Sequence, residues 1–169
     1  MFAIGLFLVS CEIEPISNPN DPAQGDVTQD ASISELTALT SGIEDLLRSE
    51  VGFYYDVVSI IGRDYWFFTG SDPRYTGEVL GKESSQLDNA GFYGTRPYAA
   101  RYRTVKAVNL LTEALANTTA PLTDAEKSGY LGFAKTMQAY ELHLALNLQY
   151  QNGIRVDVSD PNALGDFVS

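Results

Sequence analysis

Apolar positions along the chain form four helical stripes, and the longest break between them is crowded with aromatic rings. Ser32-Ile33-Ser34-Glu35 has the spacing of a capping box, in which a hydroxyl and a carboxylate satisfy exposed N–H groups at a helix start. Ile33, Leu36, Ile43 and Leu47 follow with near-3.6 periodicity, Thr40 being the polar member of the stripe. Gly52 marks a break. A second helix is predicted from about Phe53 to Gly62, carrying Val57, Val58, Ile60 and Ile61. A third is predicted to start near Pro97, since proline is favoured at the first helical position. Its stripe is Tyr98, Tyr102, Val105, Val108, Leu111 and Leu115. Thr123 and Glu126 repeat the capping-box spacing and open a fourth helix, which runs to about Tyr150 before the Asn152-Gly153 stop. Its second half, AYELHLALNLQY, is apolar on most sides and reads as a central helix packed all round. The expected class is all-α, with short connections making helix pairs. The one strand-like piece is short, Ile154 to Val158, and no fixed-period repeat is visible.

The break between Asp64 and Arg96 reads DYWFFTGSDPRYTGEVLGKESSQLDNAGFYGT before the arginine. Long loops are usually functional or disordered. Tyr65, Trp66, Phe67, Phe68, Tyr75, Phe92 and Tyr93 argue against disorder, because disordered segments are poor in rings. Aromatic faces beside Asp64, Asp72 and Arg74 suit a sugar: its C–H faces stack on rings and its hydroxyl pairs bond to charged side chains. The candidate ligand-binding residues are therefore Asp64, Tyr65, Trp66, Asp72, Arg74 and Tyr75. The competing reading is that most of these rings plug the loop onto the helices.

The start of the chain changes the picture. MFAIGLFLVSCEIEP places the single cysteine, Cys11, directly after a greasy run. As a helix, Phe2 to Val9 would rise about 12 Å, far less than the roughly 30 Å of a bilayer core. It suits the apolar region of a signal peptide instead. Leu8-Val9-Ser10 before Cys11 resembles the lipobox of bacterial lipoproteins, which implies cleavage after Ser10 and lipid attachment at Cys11. No Lys or Arg precedes the run, so this reading puts the true start upstream. Residues 1–10 are thus assigned to a signal peptide, 11–31 to a lipidated cysteine and flexible acidic linker, and 32–169 to the helical region. The linker's prolines, asparagines and acids leave little to bury. Glu12 and Glu14 resemble the acidic export signal that follows the cysteine in surface lipoproteins of Bacteroidetes.

One cysteine leaves no internal disulfide, and 44% hydrophobic residues in 169 are enough for one core. The formal charge of −11 argues against nucleic acid and against adhesion to anionic lipid. Attachment to a membrane would have to be covalent, and a stable anchor needs more than one acyl chain.

Three segments in order, GRDYWFFTGSDPRYTGEVLG, YAARYRTVKAVNLLTEAL and GFAKTMQAYELHLALNLQYQNGIRVDVSD, resemble the N-terminal part of SusD/RagB-type nutrient-uptake lipoproteins of Bacteroidetes. The resemblance rests on segment order, covers nearly the whole chain, and involves no single diagnostic motif. It implies tetratricopeptide-like antiparallel helix pairs. It further implies a lipid-anchored, surface-exposed outer-membrane protein that binds a glycan or other nutrient without chemistry of its own. The implied partner is a SusC-type TonB-dependent transporter. Family members are several times longer, so the resemblance also implies a fragment of a longer protein.

Other groupings carry less. His143, alone in an apolar helix, is expected in the core, and without other His or Cys partners a zinc site is not expected. Asp157, Asp160 and Asp166 lack EF-hand spacing and read as a solvated turn. Arg96, Arg101, Arg103 and Lys106 are expected to pair with nearby carboxylates. Gly129-Tyr130-Leu131-Gly132 sits within a helical stretch and is no phosphate loop. No cofactor is implied. A glycoside hydrolase would need a positioned carboxylate pair, and none stands out. A structural lipoprotein that scaffolds protein contacts is the other alternative, and it expects the rings of 65–75 fully buried.

Overall fold

The computed structural model describes residues 24–64, 72–81, 88, 90–149, 151–160 and 162–168. Residues 1–10, Cys11, and the rings Tyr65, Trp66, Phe67 and Phe68 lie outside the described residues. In chain order come α1 (Gln24–Thr28), α2 (Ile33–Arg48), α3 (Val51–Ile61), a π-helical turn (Tyr75–Val79), α4 (Phe92–Asn117) and α5 (Asp124–Leu146). Two short strands follow, β1 (Ile154–Arg155) and β2 (Phe167–Val168). The fold is all-α, and the strands form one antiparallel pair with Ile154 opposite Val168.

Both predicted capping boxes are formed. Glu35 N–H donates to Ser32 Oγ at 3.3 Å and Ser32 N–H to the Glu35 carboxylate at 2.7 Å. The Thr123–Glu126 pair repeats this at 3.2 and 2.8 Å. The predicted break at Gly52 falls instead at Ser49-Glu50, and α3 begins at Val51. Glu50 takes a left-handed backbone with φ 59°, a conformation costly for a residue with a Cβ.

Helix α4 starts at Phe92, a turn and more before the predicted Pro97, which lies buried inside it. A cap from another element makes the early start workable. Gly91 offers no side-chain cap, and Tyr93 N–H instead donates to Glu78 Oε2 at 3.1 Å, reaching across from the π-turn. An acid there also faces the positive end of the helix dipole. Gly91 leaves room for this approach, because a Cβ would stand 2.6 Å from Glu78 Oε2 and the carboxylate would have to shift. Gly91→Ala should push the carboxylate off its N–H and cost about 1 kcal/mol, as loss of a cap does. Thermal melts read this directly, and a melting temperature unchanged from wild type would refute the cap.

α4, not α5, is the central helix. It contacts α1, α2, α3, α5 and the π-turn, and buries Ala100, Thr104, Val105, Val108, Leu111 and Ala114. Arg101 meets Glu141 and Asn109 meets Gln138, so numbers rise along α4 as they fall along α5, and the pair is antiparallel. The bonds joining α2 to α4, Ser49 to Arg101 and Ala31 to Thr118, give the same sense. The fourth helix is therefore not packed all round. Tyr140 is 42% exposed and His143 is exposed too, which corrects the core placement expected for that histidine. One face of α5 meets α4 and the opposite face meets solvent. α5 also ends at Leu146, short of Tyr150, as Leu148 and Gln149 N–H turn back three residues to Ala145 and Leu146.

The segment expected to be a linker is partly folded. Helix α1 packs on α4, with Thr28 and Ala31 buried. Thr28 Oγ1 donates to Glu113 Oε1 at 2.9 Å, and Asn117 Nδ2 donates to the Thr28 carbonyl at 3.2 Å. Asp30 Oδ1 accepts from Thr119 N–H and Oγ1. These partners lie far along the chain, which is why composition alone read as a tether.

Among the described residues three apolar clusters result. The largest joins α2, α4 and α5 through Leu36, Ile43, Val108, Leu111, Leu115 and Ala134. A second joins α3, the π-turn and the first turn of α4 through Val57, Ile60, Val79, Leu80 and Tyr93. The third seats Ile154 of β1 against Val105, Leu142 and Ala145.

Candidate functional site

The second cluster carries half of the residues singled out in the sequence. Asp72 precedes Pro73, and its Oδ1 accepts from Arg74 N–H at 3.0 Å, closing a tight turn. The Arg74 side chain folds back on the same carboxylate, Nε donating to Oδ1 at 3.0 Å and Nη2 to Oδ2 at 2.7 Å. Tyr93 of α4 adds its hydroxyl to Oδ2 at 2.7 Å. These donors, the Arg74 guanidinium foremost and Tyr93 next, hold the Asp72 carboxyl far below the usual carboxylate range. Burial, followed by the bond to Asp72, pushes the Tyr93 phenol far up.

Rings complete the brace. Tyr75 leans on Tyr93 with centroids 4.2 Å apart, and Phe53 of α3 stacks on Tyr93 at 5.2 Å. The Arg74 guanidinium lies 4.4 Å from the Phe92 ring centre. Arg96 lies 4.6 Å from the Phe53 ring and 5.1 Å from Phe92, while bonding to Glu50 at 2.8 Å. Cations over ring faces attract the ring quadrupole. The result ties together α3, the π-turn and α4.

Asp72, Arg74 and Tyr75 are thus brought together, and Asp64 is not. Asp64 is exposed just beyond α3, with its N–H bonded to Ser59 O at 2.9 Å. Tyr65 and Trp66 lie outside the described residues. The Asp72 oxygens already accept from four donors, so this carboxylate is occupied as a brace. Arg74 keeps solvent access, its side chain 49% exposed. Tyr75 is half-buried, not fully enclosed; burial, followed by the charge of Asp56, raises its phenol.

Sequence reasoning missed Phe53, Glu78 and Glu50 at this place. Phe53 and Glu78 gave no local signal, since each meets its partners only once α4 is docked. Arg96 was visible as a member of the basic run. The two described ends of the aromatic segment are both fixed. Arg63 Nη2 donates to the Leu80 carbonyl at 3.1 Å, tying the residues after α3 to those after the π-turn. Asp72 is held by Arg74 and Tyr93 on the other side.

Comparison of the chain with protein-family models, with curated proteins and with solved structures found no match.

The remaining groupings resolve as local structure. Asp157 Oδ1 accepts from Ser159 N–H and Oγ, and Asp160 Oδ1 from Asn162 N–H, as in ordinary polar turns. Among the described residues no three His, Cys, Asp or Glu side chains converge as a metal would require. Gly129 to Gly132 lies within α5. No described helix is long and apolar enough to cross a membrane.

Two members of the basic run pair with carboxylates far along the chain, Arg96 with Glu50 and Arg101 with Glu141. Arg101 and Glu141 are fully buried and 3.1 Å apart. Arg101 Nη2 also donates to the Ser49 carbonyl between α2 and α3. Arg101 Nε and one Glu141 oxygen find no hydrogen-bond partner among the described residues. Burial pushes the Glu141 carboxyl up to about 7, with the Arg101 charge acting against it.

Proposed function

We propose that this chain is part of a lipid-anchored surface protein that captures a glycan or related nutrient and passes it to a SusC-type TonB-dependent transporter. In this reading it performs no chemistry of its own. Cys11 would carry the acyl anchor, and the segment between Asp64 and Asp72 would meet the ligand. The observation that carries the reading is the fixing of both described ends of that segment, by Arg63 to Leu80 and by Asp72 to Arg74 and Tyr93. Binding residues belong on loops held by a rigid scaffold. Tyr65 and Trp66 supply the sugar-stacking rings, and exposed Asp64 the polar partner. Asp72, Arg74 and Tyr75 serve as the brace beneath them.

Isothermal titration against a panel of neutral and acidic oligosaccharides tests this. At least one should release heat, and Trp66→Ala should abolish it while leaving the melting temperature unchanged. No heat from any glycan would favour the scaffolding lipoprotein, which the pairing of Asp72 with Arg74 and Tyr93 also fits. Hydrolysis of a glycan by the pure protein would point to an enzyme. Incorporation of labelled palmitate, lost in Cys11→Ala, tests the anchor separately.

A further inference from the structure

The apolar cluster that joins α3, the π-turn and the first turn of α4 shares no residue with the other two clusters. Its two connections to the rest of the helical array are both weak points of the backbone. At one, Ser49-Glu50, the chain leaves α2 through the left-handed Glu50, a conformation that stores strain when surrounding contacts hold it. At the other, Pro97 interrupts α4. Proline has no N–H, so the bond that residue 97 would donate to the Tyr93 carbonyl cannot form. The boundary falls there: Phe92 and Tyr93 pack with α3, while Val105 onward packs with α2 and α5.

We propose that α3, the π-turn and residues 92–96 of α4 move as one body about two hinges, Ser49-Glu50 and Pro97, relative to the α2–α4–α5 core. Among the described residues, a set of polar contacts crosses the boundary and forms a latch, Tyr54 with Asn147 being one. The buried Tyr54 hydroxyl donates to the Leu144 carbonyl of α5 at 3.2 Å. Tyr55 bonds to Tyr140, both rings being largely exposed. Arg101 holds the Ser49 carbonyl from the core side. The Arg96–Glu50 pair joins the two hinges to each other, so they turn together. The moving body carries Asp64 and Asp72, and so would aim the segment between them; that consequence rests on the functional reading above, whereas the motion itself does not.

Native-state hydrogen exchange read by mass spectrometry tests the motion without any ligand. Tyr54→Phe removes the latch hydroxyl, with its bonds to the Leu144 carbonyl and to Asn147, and no packing volume. It should speed exchange in 51–61 and 92–96 by at least about fivefold, the equivalent of one hydrogen bond. Peptides from α2, from α5 and from residues 100–117 should keep their wild-type rates. Pro97→Ala restores an N–H and should slow the same two stretches together. Equal acceleration in α2 and α5, no acceleration in 51–61, or separate responses from 51–61 and 92–96 would each overturn the hinged body. Because no glycan enters the measurement, failure here and failure of the binding reading are told apart.

Discussion

Arg101→Met should destabilise the protein by roughly 3–5 kcal/mol at pH 8, the usual cost of breaking a buried ion pair from one side. The guanidinium is fully buried and spans three places: its own helix α4, Glu141 on α5, and the Ser49 carbonyl where α2 gives way to α3. Methionine fills much of the same volume but leaves the Glu141 carboxylate in the interior with no countercharge. It also frees the Ser49 carbonyl beside the strained Glu50. The double variant Arg101→Met with Glu141→Leu removes the stranded charge and should recover most of the loss, since apolar replacement of such pairs is often neutral. Urea unfolding of the three proteins gives the answer. A single-variant loss below about 1 kcal/mol, typical of an exposed pair, would mean that water reaches Glu141 and that the pair is not interior.

How much of this was legible beforehand depends on how far apart the partners lie. Ser32 with Glu35 and Thr123 with Glu126 sit within one turn, and both helix starts were placed correctly. The start of α4 was misplaced because its cap, Glu78, belongs to another element. Pro97 offered a plausible local alternative that the tertiary cap overrode. Likewise, nothing near Gly52 announces that Glu50 takes the left-handed turn, which Arg96 and Arg101 support from α4. The apolar second half of α5 suggests burial on all sides, yet the central helix is α4, whose buried face includes Arg101 and Thr104. A periodicity count treats both as polar and so underrates α4.

Part of the candidate site is legible in the sequence for a sound physical reason. Asp72, Arg74 and Tyr75 do gather with rings from α3 and α4. Their spacing could not show that Tyr93, more than a turn-length of chain away, would occupy the same carboxylate. A charged side chain near aromatics in sequence can face a ligand or face its neighbours, and only the docked partner separates the cases. Here the bonds go inward, which moves the weight of any sugar contact onto Tyr65, Trp66 and Asp64.

Stability should fall as pH rises from about 4.5 to about 7, and Glu141 is the group responsible. Its carboxyl is raised from 4.5 to about 7 by burial. Between those values the native state keeps the proton and the unfolded chain has released it. The native state then binds more protons, so raising the pH favours unfolding. At about 1.4 kcal/mol per pH unit of such imbalance, the full decline is on the order of 3 kcal/mol. Carboxyls held low act in the opposite direction: Asp72, with its Arg74 and Tyr93 donors, stabilises above its ordinary range and stops doing so as pH falls through it. The capping acids Glu35 and Glu126 behave alike, each held low by bonds from its own capping residue. The two trends place maximal stability in mildly acid solution. Glu141→Gln removes the titration while keeping the shape, and should flatten the curve between pH 5 and 8 without altering the acid limb. The same titration makes the Arg101→Met penalty depend on pH, because an unpaired Glu141 can take up a proton and shed its charge. That penalty should shrink on going from pH 8 to pH 5, and an equal loss at both would show that Arg101 does not govern the ionisation of Glu141 in the native state.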